Sequence, residues 1–71
     1  MNPADEMIMW TRHALHHRRM FWRYRAWVRL GHWARRDAKE CRWHRDYAWW
    51  ALSMAKDARA RITQAAERIA A

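Results

Sequence analysis

The sequence predicts an all-α fold, an antiparallel two-helix hairpin, and three observations lead to it. Its 71 residues include one Gly and one Pro, too little turn chemistry for a β-rich chain. Two long stretches carry apolar residues at alternating spacings of three and four. The single glycine, Gly31, separates them.

Helix one is expected over about residues 3–30. Asn2 is placed to cap it, Pro3 suits the first helical position, and Asp5 and Glu6 complement the positive end of the helix dipole. Its seam runs Met7, Trp10, Ala14, His17, Phe21, Tyr24 and Val28 to Gly31, where a left-handed residue can end the helix with Arg29 in the last turn. Ile8, Leu15 and Trp22 widen the stripe on one side, Met20 and Trp27 on the other. A connection over about residues 31–36 follows.

Helix two is expected over about residues 37–70, with Asp37 and Glu40 spaced as a capping box. Its seam is narrow and mostly alanine: Cys41, His44, Ala48, Ala51, Ala55, Ala58, Ile62, Ala65 and Ile69. Asp57 and Arg61 form a favourable i, i+4 pair. Trp43, Tyr47, Trp50 and Met54 lie off that seam, and Trp49 lies on another face, so the first half of the helix is apolar nearly all round. Such a helix needs cover from more than one direction: a second copy, giving a homodimeric four-helix bundle, or a different protein on the aromatic face.

Composition narrows the function. Leu, Ile, Val and Phe together number 8, so seven Trp, five Met and two Tyr supply the bulk of the core. A chain this short buries only about 60% of its extended surface, which leaves no room for a second domain or a deep cofactor pocket. No cofactor is expected. Cys41 stands alone, no apolar run reaches the roughly 18 residues of a spanning helix, and the opening MNPADEMIMW has acids where a secretion signal has bases. A reducing cytoplasm is the expected setting. Thirteen Arg against two Lys, with 14 Ala, fit a GC-rich bacterial or phage genome.

The net charge of +8 is concentrated in the first half: residues 1–36 carry +6 and residues 37–71 carry +2. Trp, Tyr and Arg dominate protein–protein hot spots, so Trp43, Tyr47 and Trp50 are candidate anchors, with Arg42 and Arg45 as flanking charges. On this reading the chain is a small non-enzymatic regulatory or inhibitory adaptor, a homodimer that also binds an acidic surface of a heterologous protein. An anti-defence or host-takeover inhibitor of a phage or mobile element is one concrete form. The alternative is a basic RNA- or DNA-binding hairpin dimer, in which Arg18, Arg19, Arg23 and Arg25 hold phosphates while Trp22 or Trp27 stacks on bases. In length and hairpin shape the chain is similar to small plasmid proteins that form dimers of helical hairpins and bind paired RNA loops. That resemblance assigns no residue a role.

Other chemistry has less support. His13 with His17 and Cys41 with His44 have metal-ligand spacing, but a bend near residue 34 would set His17 opposite residue 51, several turns from Cys41, so a full site would need His32 or a second chain. No metal site is expected. Cys41 and His44 offer a thiol and a base without a third group or an oxyanion hole, so no enzyme is expected. Residues 10–30 have the Arg and aromatic faces of an interfacial helix, yet helix two offers a stripe to cover them, which argues against a membrane role.

Overall fold

The computed structural model describes residues 1–31 and 35–70. Two helices, α1 (Pro3–Arg29) and α2 (Arg35–Ala70), pack against each other, and there is no strand among the described residues. α1 starts where Asn2, in extended backbone, accepts the Asp5 N–H on Oδ1 at 2.9 Å, with Pro3 opening the helix. It stops as expected. Leu30 caps it, and Gly31 takes φ +75°, a left-handed value that L side chains avoid, while its N–H bonds Val28 O at 3.1 Å.

α2 begins two residues earlier than the sequence suggests. Asp37 therefore lies inside the first turn and is not the cap. An acidic residue there is favoured by the helix dipole wherever the helix starts, so the same pattern serves both positions. Residues 32–34 of the expected connection, including His32, lie outside the described residues.

The register also differs. His17 meets His44, not the neighbourhood of residue 51, Phe21 O meets Cys41 Sγ, and Trp10 meets Trp50. The midpoint of each pair falls at Leu30 or Gly31, about three residues before the expected bend near residue 34, which itself lies outside the described residues. The pairs descend along α1 as they rise along α2, which makes the hairpin antiparallel.

Its core is small. Ala51, Ala55 and Ala58 are buried with His17 and His44, and no large side chain among the described residues is fully buried. Met7, Trp10, Phe21, Tyr24 and Val28 of α1 pack half-buried over this narrow seam. The seam expected on α2 holds as far as Ile62, whereas Ala65 and Ile69 are exposed. α2 has 36 residues against 27 in α1, so its last turns run past the partner helix and stretch the molecule to 58 Å. At that open end Arg61 bridges Glu6 across the helices at 2.7 Å and Asp57 along its own helix at 3.3 Å.

No helix among the described residues is long and apolar enough to cross a membrane. The hairpin exposes 5927 Å². A globular monomer of 8.8 kDa exposes about 4,800 Å², so roughly 1,100 Å² remains in excess.

Replacing Gly31 with Ala should cost about 1 kcal/mol in urea unfolding; the added methyl meets nothing within 4 Å, so the cost is that of the backbone conformation. Ala58→Leu should cost about 1–3 kcal/mol by forcing the helices apart. An unchanged midpoint in the second variant would contradict the close seam.

Candidate partner-binding site

The middle of the hairpin is organised around its two buried imidazoles. His17 Nδ1 and His44 Nδ1 are 2.7 Å apart, and each residue is only 8% exposed. One ring must donate N–H while the other accepts through its lone pair; two protonated Nδ1 atoms cannot share that space. Tyr47 packs on His17 with ring centroids 4.1 Å apart, Trp43 meets it edge-on at 5.3 Å, and Tyr24 stacks on His44 at 5.6 Å. Burial pushes the pKa of His17 below its ordinary 6.5, and the charges of His44, His16 and His13 push the same way. Burial also lowers that of His44, against an upward pull from Glu40, with His16 adding to the lowering.

This arrangement redirects the ligand and nucleophile candidates. His44 turns Nδ1 to His17, and the Cys41 thiol lies 3.7 Å from Phe21 O as a weak donor to that carbonyl. No group of three or more His, Cys, Asp or Glu among the described residues is placed to hold a metal ion.

Around that centre the hairpin has two broad faces. On one, Trp50 packs edge-on against Trp10 at 4.8 Å and against Tyr47 at 5.3 Å, and Tyr47 also reaches His13 at 6.4 Å. Trp43, Tyr47 and Trp50 thus stand side by side as the sequence suggests, with Trp43 and Trp50 about half exposed. Arg45 is not with them: it lines the other face. Arg42 is exposed on α2.

That other face holds an open groove of about 440 Å³ between the helices. Ala14, Leu15, Phe21 and Trp22 line it from α1, and Ala48, Trp49 and Leu52 from α2. Thr11, Arg18 and Arg45 complete the lining, which includes no acidic residue. Arg25 lies over the Trp22 ring at 5.1 Å, a cation–π contact that holds the indole in place. Arg45 Nε also bonds Asp46 Oδ1 at 3.2 Å, a solvent-exposed pair worth little and open to exchange for a better-placed carboxylate.

The nucleic-acid candidates divide in the same way. Arg18, Trp22 and Arg25 gather on the groove face, whereas Trp27 packs edge-on against Tyr24 at 5.2 Å, and Arg19 and Arg23 are exposed elsewhere on α1. Apart from Thr11 and the seam residues Ala14, Phe21 and Ala48, the lining residues that sequence reasoning did not assign to a site are Leu15, Trp49 and Leu52. Their signal was present as apolar residues off both seams, but two helices had to be docked before they shared a wall.

Comparison with protein-family models, curated proteins and solved structures finds no match to this chain.

The imidazole pair makes the hairpin sensitive to acid. With both pKa values depressed in the folded state, the unfolded chain takes up protons first, so the stabilisation is complete above about pH 6.5 and is lost as pH falls through the folded values. The melting temperature should be lower at pH 5 than at pH 7.5, and His44→Gln should flatten that difference. An NMR titration placing both imidazoles above 6.5 would contradict the effect of their burial.

Proposed function

We propose that this chain is a non-enzymatic binding protein, a small regulatory or inhibitory adaptor that docks onto an acidic surface of a partner protein in the cytoplasm. The observation supporting this most directly is the groove: apolar, open, rimmed by Arg18 and Arg45, and lined by no acid. Such a site favours a partner that brings both apolar side chains and carboxylates, and long-range attraction by a +8 chain speeds the encounter at low salt.

The second face has a different use. Trp43, Tyr47 and Trp50, the anchors suggested by the sequence, form a continuous aromatic surface suited to pairing with a second copy in a four-helix bundle. The excess surface of the lone hairpin is comparable to the roughly 800 Å² that each partner contributes to a standard interface. Self-pairing on one face leaves the groove open for the heterologous protein.

One observation favours a second reading. Arg18, Arg25 and Trp22 share the groove face, and two guanidinium groups beside an indole could hold phosphates and stack a base. Against it, Arg19, Arg23 and Trp27 do not extend that set into a track.

Panning a random peptide library on the immobilised protein at about 0.15 M salt separates the readings. Recovered binders should be rich in Asp and Glu and should be lost with the Arg18→Glu, Arg45→Glu double variant. Binders without acidic enrichment would overturn the proposal. Submicromolar binding of single-stranded RNA at that salt, with a salt slope reduced by about two in an Arg18→Ala, Arg25→Ala variant, would put the nucleic-acid reading in its place. Sedimentation velocity tests the pairing: Trp43→Glu should convert a dimer to a monomer that keeps its helical circular dichroism.

A further inference from the structure

We infer that the element received by the groove is a single amphipathic α-helix of about three turns, carrying an apolar stripe flanked on both sides by carboxylates. This rests on the reading above that the groove binds an acidic protein, and it specifies what part of that protein enters.

Shape is the first argument. Two antiparallel helices leave a straight trough between them. Here its floor is Ala14, Phe21 and Ala48, and its walls are Leu15 and Trp22, seven residues apart on α1, and Trp49 and Leu52, three apart on α2. Each wall spacing is helical, so the walls present ridges that a third helix can mesh with. From Thr11 to Trp22 the groove runs about 16 Å at 1.5 Å per residue, the length of about three turns.

Hydrogen bonding disfavours an extended occupant. The polar groups of the lining are Thr11, whose hydroxyl already donates to Met7 O at 2.7 Å, the indole N–H groups of Trp22 and Trp49, and the Arg18 and Arg45 guanidiniums. Among these only the Thr11 oxygen can accept, so a strand or loop laid in the trough would bury backbone N–H groups with too few acceptors, at a cost of about 1–3 kcal/mol each. A helix brings its backbone already paired.

Charge then selects the sequence of that helix. A second copy pairing groove to groove would bring two Arg18 and two Arg45 guanidiniums into one interface, with only the exposed Asp46 carboxylate beside each Arg45 to offset them. The register of the His17–His44 and Phe21–Cys41 contacts puts Arg18 and Arg45 at nearly the same level, one on each wall. Charges facing each other across a trough suit two carboxylates about two residues apart, one on either flank of an apolar stripe. A phosphate backbone would instead need cations spaced along its path.

The test uses a labelled peptide of about 18 residues, long enough to hold a helix, with Leu at alternating spacings of three and four and Glu on both flanks. Anisotropy at about 0.15 M salt should show binding. The same composition scrambled out of helical period, and a version with Gln on the flanks, should each bind at least about tenfold more weakly. Circular dichroism should show the peptide gaining helix on binding. Arg18→Gln and Arg45→Gln, both exposed residues whose loss leaves the alanine seam intact, should each weaken it.

Equal binding of the scrambled peptide would overturn the helical occupant and leave an acid-binding groove. Failure of every acidic peptide, with no acidic enrichment in the library, would remove both readings. Leu15→Glu or Leu52→Glu turning a dimer into a helical monomer would assign the groove to a second copy. Displacement of the bound peptide by single-stranded RNA at equal concentration would assign it to nucleic acid.

Discussion

The packing of the larger side chains of α1 over Ala51, Ala55 and Ala58 of α2 sets the form of the rest of the molecule. Those methyl groups are covered completely or nearly so, while among the described residues no indole is fully buried. The described tryptophans pack on their neighbours along the edges of the seam and keep part of their surface in water. The usual relation between core and surface is thereby reversed: the smallest side chains are inside, and the most adhesive ones outside. The binding role proposed above rests on that inversion more than on the net charge.

Alanine, however, is a poor guide to register, because a methyl group fits beneath the larger side chains of α1 at several alignments. The His17–His44 contact supplies what the alanines lack. Slipping one helix by a turn would leave each imidazole buried without its partner, a cost of about 1–3 kcal/mol for every stranded polar group. The same pairing levels Arg18 with Arg45, so a polar contact in the core determines the charge pattern of the outer groove. Aromatic rings from both helices close around the pair and keep water from competing for its single shared proton.

Local chemistry was the legible part of this sequence. Asn2, Pro3 and Gly31 mark the limits of α1 because each acts through its own backbone or its nearest neighbours, and the apolar seam of α1 is fully visible in its spacing. Register was not legible: no spacing in the sequence fixes the midpoint of the cross-helix pairs, and shifting that midpoint by three residues moves every partner by about six. For that reason His17 was expected opposite residue 51. The start of α2 was ambiguous because Asp37 and Glu40 suit a cap and a first turn equally well. The aromatic stripe Trp43, Tyr47, Trp50 could be read from one helix alone. The groove could not, since Leu15 and Trp22 are separated in sequence from Trp49 and Leu52 and only docking unites them.

The overhang of α2 divides the molecule into two regimes of stability. Up to Ile62 each turn is held by its neighbour across the seam and unfolds with it. Beyond that point, Ala65 to Ala70 rely on intrinsic propensity, with Ile69 87% exposed. Amide hydrogens should therefore exchange on two timescales along one uninterrupted helix, fast in the overhang through local fraying and slow in the paired segment through opening of the hairpin as a whole. Secondary structure is continuous across Ile62, and cooperativity is not.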